Sequence, residues 1–151
     1  MRHRRGIGRT EWMIGGGVVG VLLLLAIPFA LSSSGSSRDE VPKIVEELRK
    51  FENVHHGAFD EYVSVESTPR LPHDLNGEAV PWVNTAGLDK IGFSLEQHLG
   101  LTEVYGSYKI VATDKGFTVT GSSDLDGDGI RATFVATETE SVRQTTPDDV
   151  Y

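Results

Sequence analysis

The chain has 151 residues, no cysteine and a formal charge of −8, which is room for one domain and too little for several. Lacking cysteine it cannot be a disulfide scaffold, so a hydrophobic core must hold it. So acidic a chain is not drawn to nucleic acid by its net charge, and no direct nucleic-acid binding is expected. The sequence has no G-x-S-x-G nucleophile elbow and no phosphate-binding Gly-Lys-Ser/Thr loop, and no enzyme is expected.

The charge is unevenly placed. Arg2, Arg4, Arg5 and Arg9 with Glu11 give residues 1–11 a charge of +3, leaving −11 on residues 12–151. Trp12 to Leu31 then run without a charge. A helix of about 20 apolar residues spans a ~30 Å hydrocarbon layer. A basic flank before it and an acidic region after it predict a single pass through the inner membrane with the N-terminus cytoplasmic. A removable secretory signal has the same layout, with Ala30-Leu31-Ser32 as a cleavage site, and composition leaves both readings open.

Spacing separates them. Gly6 follows the basic leader, Glu11 is the fifth residue beyond it and Pro28 the twenty-second. In that register the segment resembles the N-terminus of a type IV prepilin. The resemblance implies cutting after Gly6 by a prepilin peptidase, which leaves Ile7 as a free or methylated first residue. It also implies assembly through an apolar helix carrying Glu11 near its start and Pro28 near its end. A charge abutting an apolar span is costly enough to need a reason, and pairing of Glu11 with a neighbour's terminal amine would supply one. Gly8, Arg9 and Thr10 depart from the apolar pattern of pilins. Gly15, Gly16, Gly17 and Gly20 lower helix propensity by about 1 kcal/mol each against alanine, while allowing neighbours to pack closely.

On this reading residues 1–6 are a cytoplasmic leader, 7–31 a transmembrane and assembly helix, and 32–37 a Ser/Gly stretch, either a linker or a loosened part of one long helix. Residues 38–59 form an amphipathic helix and 60–151 a β-rich head. In the amphipathic helix Val41, Ile44, Val45, Leu48 and Phe51 recur at three- and four-residue steps, with Glu46, Glu47, Arg49, Lys50 and Glu52 opposite. Pro42 falls in the first turn, and Gly57 is expected to end the helix. Val63-Ser64-Val65 suggests a short strand. Pro69, Pro72, Asn76-Gly77 and Pro81 mark a long loop, which Trp82, Leu88, Ile91, Phe93, Leu95 and Leu99 are expected to pin to the core.

Residues 104–113, 116–122 and 130–138 alternate as strands. Their expected inward set is Tyr108, Ile110, Ala112, Phe117, Val119, Ile130, Ala132, Phe134 and Ala136. Asp114-Lys115-Gly116 reads as a hairpin turn. The strings Gly-Phe-Thr-Val-Thr, Asp-Leu-Asp-Gly-Asp-Gly and Ala-Thr-Phe-Val-Ala-Thr, and the final Pro-Asp-Asp-Val-Tyr, look like the sheet and tail of cysteine-free pilins. The expected fold is therefore α+β and pilin-like: a long N-terminal membrane-spanning helix continuing into an amphipathic helix packed on an antiparallel meander.

The resemblance implies a filament subunit, placed in the inner membrane and then in a cell-surface or periplasmic filament, with itself and the pilus assembly machinery as partners. A minor pilin or a type II secretion pseudopilin is the alternative within the superfamily. A monomeric membrane-tethered or secreted calcium-binding module is the alternative outside it. For the last, Asp124, Asp126 and Asp128 alternate with Gly127 and Gly129 like the start of an EF-hand loop, whose carboxylates converge on calcium. Val135 stands where that loop needs its bidentate glutamate. The other reading is a hairpin whose aspartates bond to their own backbone.

Overall fold

The structure, a computed structural model, describes residues 37–147. Its first element is α1 (Ser37–Phe59). Val41, Ile44, Val45 and Leu48 are at most 1% exposed along one side of it, and burying such side chains contributes about 1.5–3 kcal/mol each. The helix does not stop at Gly57. The Asp60 N–H still bonds to the His56 carbonyl at 2.8 Å, and Asp60 itself takes the left-handed φ of 55° that ends the run. Asp60 thus does what a C-terminal glycine usually does.

No helix among the described residues is long and apolar enough to cross a membrane. The expected fold led by a membrane-spanning helix, and the single-pass inner-membrane placement, are corrected accordingly. The physical reason lies in α1, the one described helix of sufficient length. It carries Asp39, Glu40, Lys43, Glu46, Glu47, Arg49, Lys50 and Glu52, and charges at that density do not enter hydrocarbon. The segment 7–31, with the landmarks Gly6, Ile7, Glu11 and Pro28, lies outside the described residues.

What the structure holds is a small α+β domain. Five strands, β1 (Val65–Thr68), β4 (Ser107–Thr113), β5 (Gly116–Ser123), β6 (Ala132–Thr137) and β7 (Arg143–Gln144), pair antiparallel in the order β1-β4-β5-β6-β7. β2 (Val80–Pro81) and β3 (Glu103–Val104) form a separate small ladder. The β4–β5 hairpin closes at Thr113↔Gly116 around Asp114-Lys115, with Gly116 at φ 147°. Tyr108, Ile110, Phe117, Val119, Ala132, Phe134 and Ala136 are buried on the inward face and Ala112 packs against them. Ile130 is the exception at 58% exposed. Pairing of β6 with β5 begins at Ala132↔Ser123, so Ile130 stays in the preceding loop.

α1 lies against β5 and β6, and Gly121 sets how close it comes. A Cβ on Gly121 would stand 2.5 Å from Val45 Cγ2 and 2.7 Å from Val41 Cγ1. Only a residue without a side chain lets helix and strand meet there.

Between β1 and β4 the chain is less irregular than expected. Two short helices, α2 (Ala86–Ile91) and α3 (Leu95–Leu99), begin at the caps Thr85 and Ser94 and end at left-handed Gly92 and Gly100. Leu88, Ile91, Phe93 and Leu95 are buried, with Trp82 and Leu99 packed against them. This segment closes the core alongside α1.

Candidate functional site

The loop joining β5 to β6 carries the aspartates. Asp124 continues from the buried end of β5 and is 1% exposed, whereas Asp126 and Asp128 face solvent. One carboxylate oxygen from each of the three lies within 4.8 Å of the others, so the triad could hold a metal ion. Asp124 Oδ1 accepts the Gly127 N–H at 2.8 Å and Oδ2 the Gly129 N–H at 3.0 Å. Asp126 Oδ1 accepts from Asp128 N at 3.3 Å, and Asp128 Oδ1 from Ile130 N at 2.7 Å. Gly127 and Gly129, at φ 73° and 88°, give the left-handed turns that curl the loop around Asp124.

Each aspartate therefore bonds to nearby backbone as a hairpin requires, and the three carboxylates still converge. A carboxylate oxygen has two lone pairs, so a backbone N–H on one leaves room for a cation. The donors are all oxygen, which suits the hard cations calcium and magnesium. Val135 lies on β6 opposite Thr120 and Arg143, so no glutamate-like ligand comes from the twelfth position.

The loop leans on another. A Cβ on Gly77 would stand 3.0 Å from the Leu125 carbonyl oxygen, and one on Gly127 would stand 3.1 Å from that of Asn76. The Asn76-Gly77 turn and the aspartate loop thus meet backbone to backbone. Arg70 ties down the first of these, bonding Asn76 Oδ1 at 3.1 Å and the carbonyls of Glu78 and Tyr105.

A second polar cluster lies at the end of α1, and only the fold assembles it. Glu52 is fully buried; its Oε1 accepts the Val63 N–H, and among the described residues Oε2 has no hydrogen-bond partner. Burial, with the Glu61 charge nearby, pushes its carboxyl up to about 7, against the pull of the Val63 N–H and Lys90. Glu61 sits 3.0 Å from Lys90 Nζ and 3.3 Å from the buried His55 Nε2. Lys90 first, then His55, hold it below the ordinary carboxylate value. Glu52 reads in sequence as one more charge on the solvent face of the helix. The one signal against that is its place four residues after Leu48 and one after Phe51, at the margin of the apolar stripe.

The chain matches no family model, no curated protein and no solved structure.

Proposed function

We propose that the chain is a structural subunit of a type IV pilus or pilus-like filament and not an enzyme. The observation that carries this reading is the amphipathic helix α1 lying on an antiparallel sheet. In the sequence that helix follows Gly6, Glu11 and Pro28, the landmarks on which the resemblance rests. A minor pilin or secretion pseudopilin draws on the same observation. In this reading a prepilin peptidase cuts after Gly6, because a glycine lets extended backbone approach an active site without steric hindrance. Subunits then join through the apolar N-terminal segment. Each Glu11 meets the Ile7 amine of a neighbour, and losing one partner of such a buried pair costs about 3–5 kcal/mol. The intact mass of the chain from cells expressing a prepilin peptidase tests this. We expect a first residue of Ile7, and accumulation of the uncut form with Gly6→Leu. Recovery of the wild-type chain with Met1 in place would sink the proposal.

The aspartate triad favours a second reading, a calcium-binding module, which also fits within a filament subunit. Calcium takes six to eight oxygen ligands, so carbonyls or water must add to the three carboxylates. Ligand at a hundred times its dissociation constant stabilises the fold by about 2.7 kcal/mol. The full chain should therefore melt higher in millimolar calcium than in chelator, and Asp126→Asn should shrink that difference. An unchanged midpoint would assign the aspartates to the turn alone.

A further inference from the structure

We propose that Glu52 is a proton-operated latch that clamps the turn at residues 60–63 onto the end of α1 when protonated and releases it when ionised. The inference is independent of the filament reading. It rests on how that turn is held. After Phe59 the chain reverses through left-handed Asp60, a conformation that side-chain-bearing residues adopt at a cost. Val63 then comes back over the helix and is buried, with its N–H on Glu52 Oε1. Glu61 also reaches the buried His55 and Tyr62 packs on Phe117, with ring centroids 5.4 Å apart; the remaining ties lie near the surface. His56 stacks on Tyr62 with ring centroids 3.9 Å apart, and Glu61 pairs with Lys90. The bond from Glu52 is the one polar tie described here that lies fully inside.

The chemistry of that bond depends on the proton. A neutral carboxyl accepts one N–H and places no charge in the core. An ionised one has a single donor for two oxygens, in a place that excludes water, and an underbonded buried charge is far costlier than a neutral group. The surrounding charges do not remove that cost. His55 on the same helix is engaged with Glu61, and so is Lys90 from α2. Glu61 on the turn opposes ionisation, and the neighbouring Tyr62 hydroxyl faces Glu138 and gives Glu52 no donor. The least disruptive relief is for the turn to lift, which lets water reach Glu52 and separates it from Glu61.

The sign follows from where the proton binds more tightly. The folded carboxyl, at about 7 against an ordinary 4.5, holds its proton better than the open one. The clamp is therefore complete below pH 4.5 and is lost as the pH rises through 7.

Hydrogen exchange at the Val63 amide of the full-length chain, corrected for intrinsic base catalysis, reads the latch directly. Between pH 5.5 and 8.5 its protection should fall about thirtyfold. Glu52→Gln keeps an acceptor for Val63 without the charge, and its protection should stay level. Parallel falls in the two proteins, or a level wild-type profile, would overturn the proposal. Glu61→Gln gives a second check that leaves the Val63 bond in place. Without the opposing charge the wild-type transition should move to lower pH, and an unmoved midpoint would also overturn the latch.

Discussion

Near its start α1 tucks Glu40 against the turn before β4; near its end it buries Glu52 against the turn before β1. Glu40 Oε1 accepts from the Tyr108 hydroxyl and the Tyr105 N–H at 2.9 Å each, and from the Gly106 N–H at 3.3 Å. Glu52 accepts a single N–H. Burial raises both carboxyls, but at Glu40 three donors and the Arg70 charge work against it. The same residue type on one helix is thus fastened by three donors at one end and by a single donor at the other. The number of donors that the facing turn supplies makes the difference, because each backbone N–H turned toward a carboxylate stabilises its charged form.

Both ends share the helix–sheet contact at Gly121, and the harshest way to break the comparison is to fill it. Gly121→Val puts carbon inside contact distance of Val41 and Val45. Neither neighbour can yield within a packed core, so a loss of about 3 kcal/mol or more is expected in urea unfolding, at acid and neutral pH alike. A smaller, one-ended effect sharpens the comparison. Glu40→Ala leaves the buried Tyr108 hydroxyl and two backbone donors without their acceptor, at a cost of about 2 kcal/mol. It should leave the pH dependence of Val63 exchange untouched, which separates the two ends of the helix. Loss of that dependence in Glu40→Ala would mean that the ends act as one.

The apolar stripe of α1 and the strands of the meander were legible in the sequence because each follows a local period that one burial direction enforces. Where the controlling contact was tertiary, the pattern gave no sign. β7 is two residues long and exists because Phe134 and Val135 offer it an edge. Strand β1 begins at Val65, not Val63, because the Val63 N–H is taken by Glu52. The helices α2 and α3 left a local mark that the prolines around them obscured, since Thr85 with Gly92 and Ser94 with Gly100 are ordinary start and stop pairs. The aspartate triad was legible because its members lie within five residues of one another in sequence. Glu52 was not, because what makes it unusual is a turn that folds back from beyond the end of its helix. The single-pass fold rested on the uncharged run 12–31 and its charged flanks, whereas no helix among the described residues is long and apolar enough to cross a membrane.

The contact between the Asn76-Gly77 turn and the aspartate loop bears on how such a chain can change. Each glycine sits where a side chain would strike the other loop's carbonyl, so neither position accepts a larger residue unless the partner loop retreats. An insertion in one loop parts the pair and exposes backbone that the other had covered. Lengths of the two loops are therefore tied together, although they belong to distant parts of the sequence, and variants should gain or lose residues in both or in neither. Diversity on this face of the domain is channelled into side chains such as those of His73 and Asp74, which point to solvent and leave the joined backbones alone.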